Sequence, residues 1–172
     1  MDSLLHSHFK IPTDLRVDFS DVYSRTFIAP CKVAVESAVK QFFFSIPKAG
    51  IWMLQFREFV GKKIGLKTAN GRKGTLLEIE QFTGQIGDRI ALFEVWNRNS
   101  NEIVTGQHDK HLDFVLVFKV ENNGEEHTLQ LLTIVQINSS LGRMYLWAVK
   151  PIHSMLMPVI MRRLCNRLKN GC

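Results

Sequence analysis

A histidine and a carboxylate lie two residues apart in the stretch "DKHLDFVLVFKV" and could move a proton. His111 and Asp113 fall on one face if this stretch is a strand, because strand side chains alternate. An imidazole oriented by a carboxylate can act as a general base. The adjacent His108 and Asp109 would also allow a metal ion. Near a hairpin the same side chains could instead bond to backbone groups or an arginine, so catalytic, binding and structural roles all stay open.

Glu94 is the best single candidate for an acid. It lies between Leu92 and Trp96, and a carboxylate among such neighbours needs a partner or solvent. A position at the rim of a cavity and an arginine partner are both compatible with the sequence. The candidate acids and bases of an enzyme are therefore Glu94, His111 and Asp113, and no catalytic residue is assigned from sequence alone.

Several common site motifs are absent from the chain. It has no GxSxG, HExxH, CxxC or dinucleotide-binding glycine pattern. The basic loop "GLKTANGRKG" at 65–74 lacks the GxxxxGK[ST] spacing, which favours a solvated turn over a phosphate site. His6 and His8 form only an isolated His-x-His pair, without further ligands at zinc spacing. We expect no metal and no cofactor.

Length and composition indicate one domain spanning 1–172. The chain has 172 residues, 45% of them hydrophobic, and 12 phenylalanines, which suffices for one sizeable core. No window approaches the roughly 18 apolar residues of a membrane span, and no signal peptide is evident, so a cytoplasmic protein is expected. Cys31, Cys165 and Cys172 show neither disulfide-framework nor zinc spacing and are predicted to be reduced thiols.

The net charge of +6 is concentrated near the C-terminus. No acidic residue follows Glu126, whereas six basic residues do: Arg143, Lys150, Arg162, Arg163, Arg167 and Lys169. Such a field suits anionic lipid, nucleic acid or an acidic partner, and a solvated helix face is the alternative. We expect no specific nucleic acid, and peripheral membrane contact through 157–169 is one hypothesis.

The pattern of apolar residues predicts an α+β protein. After an extended lead-in at 1–14, it predicts a strand over 19–28, then a helix opened by Pro30 and a second helix over 52–64. On the first of these helices, Glu36 and Lys40 are predicted to pair at i, i+4. The period then changes to two, and short turns separate the segments, which indicates an antiparallel meander. Its predicted strands are 75–82, 89–97, 102–107, 110–120 and 127–137.

A long helix over 139–170 closes the chain. Asn138, Ser139 and Ser140 suit its N-cap, and an apolar stripe follows over about five turns, from Leu141 to Val159. Pro151 and Pro158 each lack an amide hydrogen, so kinks are expected there. A second stripe runs on another face: Met157, Ile160, Met161, Leu164, Cys165 and Leu168. Either the last turns bend to follow the core, or they bury this stripe in a membrane interface or a second subunit.

This order of elements resembles the START-like helix-grip (SRPBCC) superfamily, which includes polyketide cyclase-like and plant-allergen-like lipid carriers. Three strings look like a bacterial family of uncharacterised proteins within it: "DKHLDF" at 109–114, "LGRMY" at 141–145 and "KPIH" at 150–153. The resemblance covers about residues 9–168. In that family the third string usually reads Pro-Phe-His, so Ile152 departs from the pattern while His153 keeps it.

The resemblance implies a curved antiparallel sheet of about six to seven strands that grips the last helix around a cavity. A non-enzymatic carrier of a small hydrophobic or amphipathic molecule is the favoured expectation. By analogy its lining would include Trp52, Phe56, Glu94, Trp96, His111, Asp113, Tyr145 and His153. Similar domains follow reductase-like nucleotide-binding domains, which implies a reductase-like partner. The alternatives are a cyclase, dehydratase or isomerase using Glu94, His111 or Asp113, and a protein that docks through its basic C-terminal helix.

Overall fold

The computed structural model describes residues 16–48 and 75–171. Within these ranges the strands are β1 (Phe19–Ile28), β2 (Arg89–Ile90), β3 (Phe93–Arg98), β4 (Glu102–Gln107), β5 (Leu112–Asn123) and β6 (Glu126–Ile137). The helices are α1 (Val35–Ser45), α2 (Thr75–Gln81) and α3 (Ser140–Asn170). The predicted helix over 52–64 and the basic loop at 65–74 lie outside the described residues.

The six strands form one curved, open antiparallel sheet in the order β1-β6-β5-β4-β3-β2. The α+β class and the antiparallel meander are therefore confirmed, with the C-terminal helix following the sheet. β1 pairs with β6 along its full length, from Phe19 opposite Val135 to Ile28 opposite Glu126. The first strand of the chain thus lies at one edge and the short hairpin β2–β3 at the other.

Strand alternation gives the sheet two different faces. The inner face packs against α1 and α3 and carries Ile103, Leu116, Phe118, Val120, Leu129 and Leu131. The outer face carries Val104, Val115, Val117, Leu132 and Ile134, which are also buried. Both faces of β5 are covered, which explains why its middle reads as an unbroken apolar run.

The predicted strand over 89–97 is interrupted by a tight turn. β2 and β3 form a two-residue-loop hairpin in which Arg89 lies opposite Glu94. Ala91 occupies a positive φ of 55° at the turn, a conformation that asparagine or glycine adopts more readily. Because the residues at this turn are apolar, the sequence gives no signal for it. Phe93 and Val95 lie on the inner face and Trp96 on the outer one, and a register shift follows between Val95 and Asn97.

Helix α1 begins later than the sequence suggests. Pro30 does not open it, because residues 29–34 are irregular and Ala34 is the N-cap. Val35, Ala38, Val39 and Phe42 are buried at helical spacing, as predicted. The expected pair between Glu36 and Lys40 is wrong. Glu36 instead forms a salt bridge of 2.5 Å with Arg98 of β3, and the Lys40 ammonium donates to the carbonyl of Glu80.

The prediction of a strand over 75–82 is also wrong, since Thr75–Gln81 is the helix α2. The segment "TLLEIEQ" combines leucine with glutamate and glutamine, which favour helices, over a length at which helical and strand periods cannot be separated. Ile79 and Phe82 are buried in the main core. The segment therefore covers the inner face instead of extending the sheet.

Helix α3 begins where the sequence predicts, and its last turns follow the core, which was the first of the two alternatives for the second stripe. The Ser139 hydroxyl accepts from the backbone amide of Gly142 at 3.2 Å, which caps the helix. The helix is assigned as continuous through Pro151 and Pro158. Its last turns, from Met157 to Leu168, are buried in the main core, so burial of that stripe in a membrane or a second subunit is excluded. Most of the earlier stripe is exposed instead.

The cysteines differ from the prediction of three reduced thiols. Cys31 is disulfide-bonded, which corrects that prediction for this residue. Cys165 is free and lies in the core, where burial raises the pKa of its thiol to about 11. A thiol with that pKa is protonated near neutral pH and unreactive. None of the helices in the described ranges combines the length and apolar character that crossing a bilayer requires.

The loop between α2 and β2 supplies a stability prediction. The Asp88 carboxylate accepts from the Thr83 hydroxyl at 2.6 Å and from the Thr83 and Gln85 amides at 3.0 and 3.2 Å. These hydrogen bonds lower the pKa of Asp88, so its ionised form stabilises the fold above the unfolded-state pKa. That stabilisation is lost as the pH falls through the lower, folded-state pKa.

We expect Asp88→Asn to reduce the free energy of unfolding by about 1 kcal/mol at neutral pH. The loss should shrink below about pH 4, where the wild-type carboxylate is itself protonated. Urea denaturation at the two pH values measures both effects. Glu125→Gln is the matched control at an exposed turn position and should change little. A loss of equal size at both pH values would contradict the role of the charge.

Candidate functional site

A cavity of about 120 Å³ lies between α3 and the inner face of the sheet. Its walls are mainly apolar, and they come from β1, β5, β6 and α3: Phe19, Leu112, Phe114, Val135, Leu146 and Val149. A second cavity of about 110 Å³ lies nearer α1 and is lined by Phe42, Phe43, Leu116, Leu156, Met157 and Ile160. Phe93, Phe114 and His153 line both cavities. The two spaces are thus neighbours separated by shared side chains.

Several aromatic rings contact one another between the helices and the sheet. Phe42 meets Phe118 with ring centroids 5.3 Å apart in a T-shaped arrangement. Phe43 lies 6.2 Å from Phe93, and Phe93 lies 5.8 Å from Phe114. Edge-to-face and tilted contacts of this kind hold rings in defined orientations. The cavities are therefore bounded by a rigid aromatic wall on the side of α1.

Two buried polar atoms on residues that line the first cavity, Thr133 Oγ1 and His153 Nδ1, lack a hydrogen-bond partner among the described residues. Thr133 is 1% exposed, yet its hydroxyl oxygen has no partner among the described residues. A buried hydroxyl left unpaired costs about 1–3 kcal/mol. A molecule in the cavity that hydrogen-bonds to Thr133 would recover this energy. The hydroxyl is therefore an unmatched hydrogen-bonding group in a mainly apolar wall.

An imidazole and a carboxylate face each other beside the same cavity. The Nδ1 atom of His153 lies 3.1 Å from an Asp21 carboxylate oxygen, and the two side chains are only 17% and 18% exposed. The distance is that of an ion pair, but neither atom has the alignment of a hydrogen bond. Asp21 lies directly opposite Thr133 in the β1–β6 register. His153 therefore belongs to the cavity wall, and Asp21 lies directly behind it.

Tyr23 and Lys150 complete the polar surroundings. The Tyr23 ring meets the His153 ring edge-on, with centroids 6.4 Å apart. Burial and the nearby Asp21 carboxylate raise the pKa of Tyr23, so the phenol stays neutral at physiological pH. The Lys150 ammonium lies 5.0 Å above the Phe19 ring, a cation–π contact. Both Lys150 and Phe19 line the cavity, which places a positive charge at its exposed side.

His111 and Asp113, which the sequence suggests as a pair for proton transfer, form hydrogen bonds to the residues at the start of α3. The Nδ1 atom of His111 lies 2.7 Å from the Ser139 hydroxyl, and the His111 carbonyl accepts from the Asn138 amide at 2.9 Å. Asp113 accepts from the Asn138 side chain at 3.1 Å and from the Asp109 amide at 3.0 Å. We call these residues, 109–113 with 138–142, the helix-start junction. The strings "DKHLDF" and "LGRMY" thus meet in space.

The remaining predicted site residues are scattered. Glu94 forms a salt bridge of 2.9 Å with Arg89 in the exposed β2–β3 hairpin, two strands away from β5. Trp96 lies on the outer face and stacks on His108, with centroids 4.5 Å apart. Trp52 and Phe56 lie outside the described residues. Tyr145 and His153 line the cavity, so among the predicted residues only these two are described there.

Sequence reasoning did not select Thr133, Asp21 or Lys150. A single threonine in the apolar strand "LQLLTIVQI" carries no signal of its own, because threonine is common in strands. Asp21 becomes informative only when the β1–β6 register is known. In the described ranges no group of three or more His, Cys, Asp or Glu side chains is arranged to hold a metal ion.

The fold and the cavity define an α+β protein in which a curved antiparallel sheet packs against a long C-terminal helix. Residues 15–160 match the model of a family described as "Protein of unknown function (DUF2867)". Because the match spans most of the 172 residues, the chain belongs to the DUF2867 family. No curated protein and no solved structure matches the chain significantly. The family supplies no activity, so any function has to be argued from the site.

The helix-start junction leaves no room for a side chain at Gly142. A Cβ atom there would overlap the carbonyl oxygen of His111. We expect Gly142→Ala to lower the free energy of unfolding by about 1–3 kcal/mol, although in a helix without such an overlap alanine is more stable than glycine. Ser140→Ala, at an exposed position of the same turn, is the control and should change it by less than about 0.5 kcal/mol. Urea denaturation measures the free energy of unfolding of both variants. A Gly142→Ala variant that is more stable than wild type would contradict the close contact.

Proposed function

We propose that the protein binds a compact, largely apolar molecule that carries hydrogen-bonding groups, in the cavity between the sheet and α3. The observation that carries this proposal is the Thr133 hydroxyl, buried and unpaired in an apolar wall. Ligand sites typically combine such walls with a few polar groups that fix orientation. The resemblance to START-like carriers of lipids and other small molecules supports the same conclusion.

The size of the cavity limits the ligand. Pockets for drug-sized molecules usually have about 300–1,000 Å³, and this cavity has about 120 Å³. The ligand is therefore smaller than a membrane lipid. A longer molecule would have to reach the neighbouring cavity of about 110 Å³ by moving Phe93, Phe114 or His153, which line both spaces.

The polar groups lie at two depths, which suggests an amphipathic ligand. Thr133 is 1% exposed and would meet a hydrogen-bonding group within the cavity. Lys150 is exposed at the side and would meet an acceptor or an anionic group that remains near solvent. The apolar part of the ligand would lie against Phe114, Val135 and Val149.

Binding is favoured over catalysis by the positions of the candidate acids and bases. His111 and Asp113 are engaged at the helix-start junction, and Glu94 is paired with Arg89 in a hairpin. An enzyme using these residues would need them to converge around one substrate. Their separation argues against a cyclase or an isomerase that uses these three residues and leaves binding as the function that the cavity supports best.

A pair of tryptophan substitutions tests whether the cavity is the site. Val149 lines the cavity, whereas its neighbour Ala148 is exposed on the same helix. Isothermal titration calorimetry would use the straight-chain carboxylates from hexanoate to decanoate and the matching alcohols. We expect Val149→Trp to weaken binding at least about tenfold and Ala148→Trp to leave it unchanged. Failure of every probe to bind wild-type protein, or equal binding by both variants, would overturn the proposal.

Thr133→Val tests the polar contact separately, because valine keeps the shape of threonine and removes the hydroxyl. Binding of the probe whose polar group reaches Thr133 should weaken by about tenfold, which corresponds to one neutral hydrogen bond. The melting temperature should stay the same or rise, since an unpaired buried hydroxyl is lost. Differential scanning calorimetry measures the second effect. A destabilised variant with unchanged binding would show that the hydroxyl serves the fold.

A further inference from the structure

The side of α3 that faces away from the sheet carries an unusual set of exposed apolar residues. These are Met144, 62% exposed, Trp147, 80%, Ile152, 42%, Met155, 77%, and Val159, 43%. We call these five residues the outer stripe. They recur at helical spacing over about four turns, and Ala148 and Pro151 between them are also exposed. Isolated exposed apolar residues are ordinary, but a contiguous set marks an interaction surface.

The charged residues of α3 around the outer stripe have one sign. Arg143 and Lys150 lie beside it on the same helix, and no acidic residue occurs after Glu126. Arg162 and Lys169 follow Met144 by about five and about seven helical turns, so they continue the same face of the helix. No arginine or lysine of α3 forms a salt bridge within residues 16–48 and 75–171. The face is thus apolar in its first half and cationic in its second.

We propose that this face of α3 lies on an anionic membrane surface. Trp147, Met144 and Met155 would enter the interface between headgroups and acyl chains, where tryptophan is favoured. Arg162 and Lys169 would contact lipid phosphates, and each cation near an anionic leaflet strengthens the attraction. The buried stripe from Met157 to Leu168 would remain in the core. The proposal does not depend on a ligand in the cavity.

The charge pattern favours lipid over a second copy of the chain. A symmetric dimer would join the same patch of both copies and would bring the cations of two α3 helices together without a single acid on either helix to pair them. The stripe also runs along a convex helix surface. A fluid bilayer accommodates that shape without complementary relief, whereas a protein partner would need a matching groove.

Vesicle flotation of the full chain tests the proposal. The probes are vesicles of phosphatidylcholine alone and of phosphatidylcholine mixed with phosphatidylglycerol. We expect at least about tenfold tighter binding to the anionic vesicles at low salt, with a decrease as salt screens the charges. Equal binding to both vesicle types, or no binding to either, would overturn the proposal.

Two sets of substitutions separate the apolar and charged parts. Replacing Met144, Trp147 and Met155 together by serine should abolish binding to anionic vesicles, while the melting temperature is kept because these side chains are exposed. Arg162→Glu with Lys169→Glu should abolish the preference for anionic vesicles. The matched control replaces Ile28 and Ile86, 66% and 65% exposed elsewhere on the protein, by serine and should bind like wild type.

Light scattering after size-exclusion chromatography tests the competing explanation, which is a dimer formed through the outer stripe. The expected result is a mass that is identical for wild type and the triple serine variant at all concentrations. A wild-type dimer that the triple variant abolishes would assign the outer stripe to a second copy and overturn the membrane proposal. Loss of binding in the Ile28 and Ile86 control would also overturn it, since apolar exposure in general would then be the cause.

Discussion

The hydrogen-bonded junction between the start of β5 and the start of α3 is the constraint on which the rest of the structure depends. The His111 side chain contacts Ser139, the helix cap, and its carbonyl receives the Asn138 amide. Gly142 then lets the first turn of the helix approach the same carbonyl. These contacts fix both the position and the direction in which a helix of 31 residues leaves the sheet. The residues that look most like a catalytic relay therefore establish the geometry of the cavity.

Because α3 is held at its start and buried at its end, its middle has to bridge the two. The last turns pack closely against α1 and β1 through residues such as Met161, Leu164 and Leu168. The earlier turns contribute Leu146, Val149 and His153 to a space that the sheet does not fill. The neighbouring phenylalanines contact one another and line this space without filling it. The last turns of α3 thus pack closely against the core, whereas the earlier turns leave a cavity that Thr133 lines.

Much of the fold was predictable because it rests on local rules. The bounds of β1 and β4, the cap of α3 at Ser139 and the two stripes of the helix follow from alternation, capping and helical period. What failed depended on long-range context. The sequence left the partner of the second stripe of α3 open, because periodicity shows that a face is apolar and not which neighbour covers it. Similarly, Asp21 and Thr133 meet only through a pairing across more than a hundred residues, and no local pattern records that.

The two prolines within α3 remove hydrogen bonds from the helix. Neither Pro151 nor Pro158 has an amide hydrogen, so the carbonyl oxygens of Trp147 and Ser154, one turn earlier, receive no helical bond from them. Both prolines are exposed on the side away from the sheet. Because hydrocarbon offers no donors to such oxygens, the proposed membrane contact would keep the backbone at the level of the hydrated headgroups, and only the longer side chains would enter the acyl region. On the proposed membrane surface, the two prolines would therefore limit how deeply the protein enters the lipid.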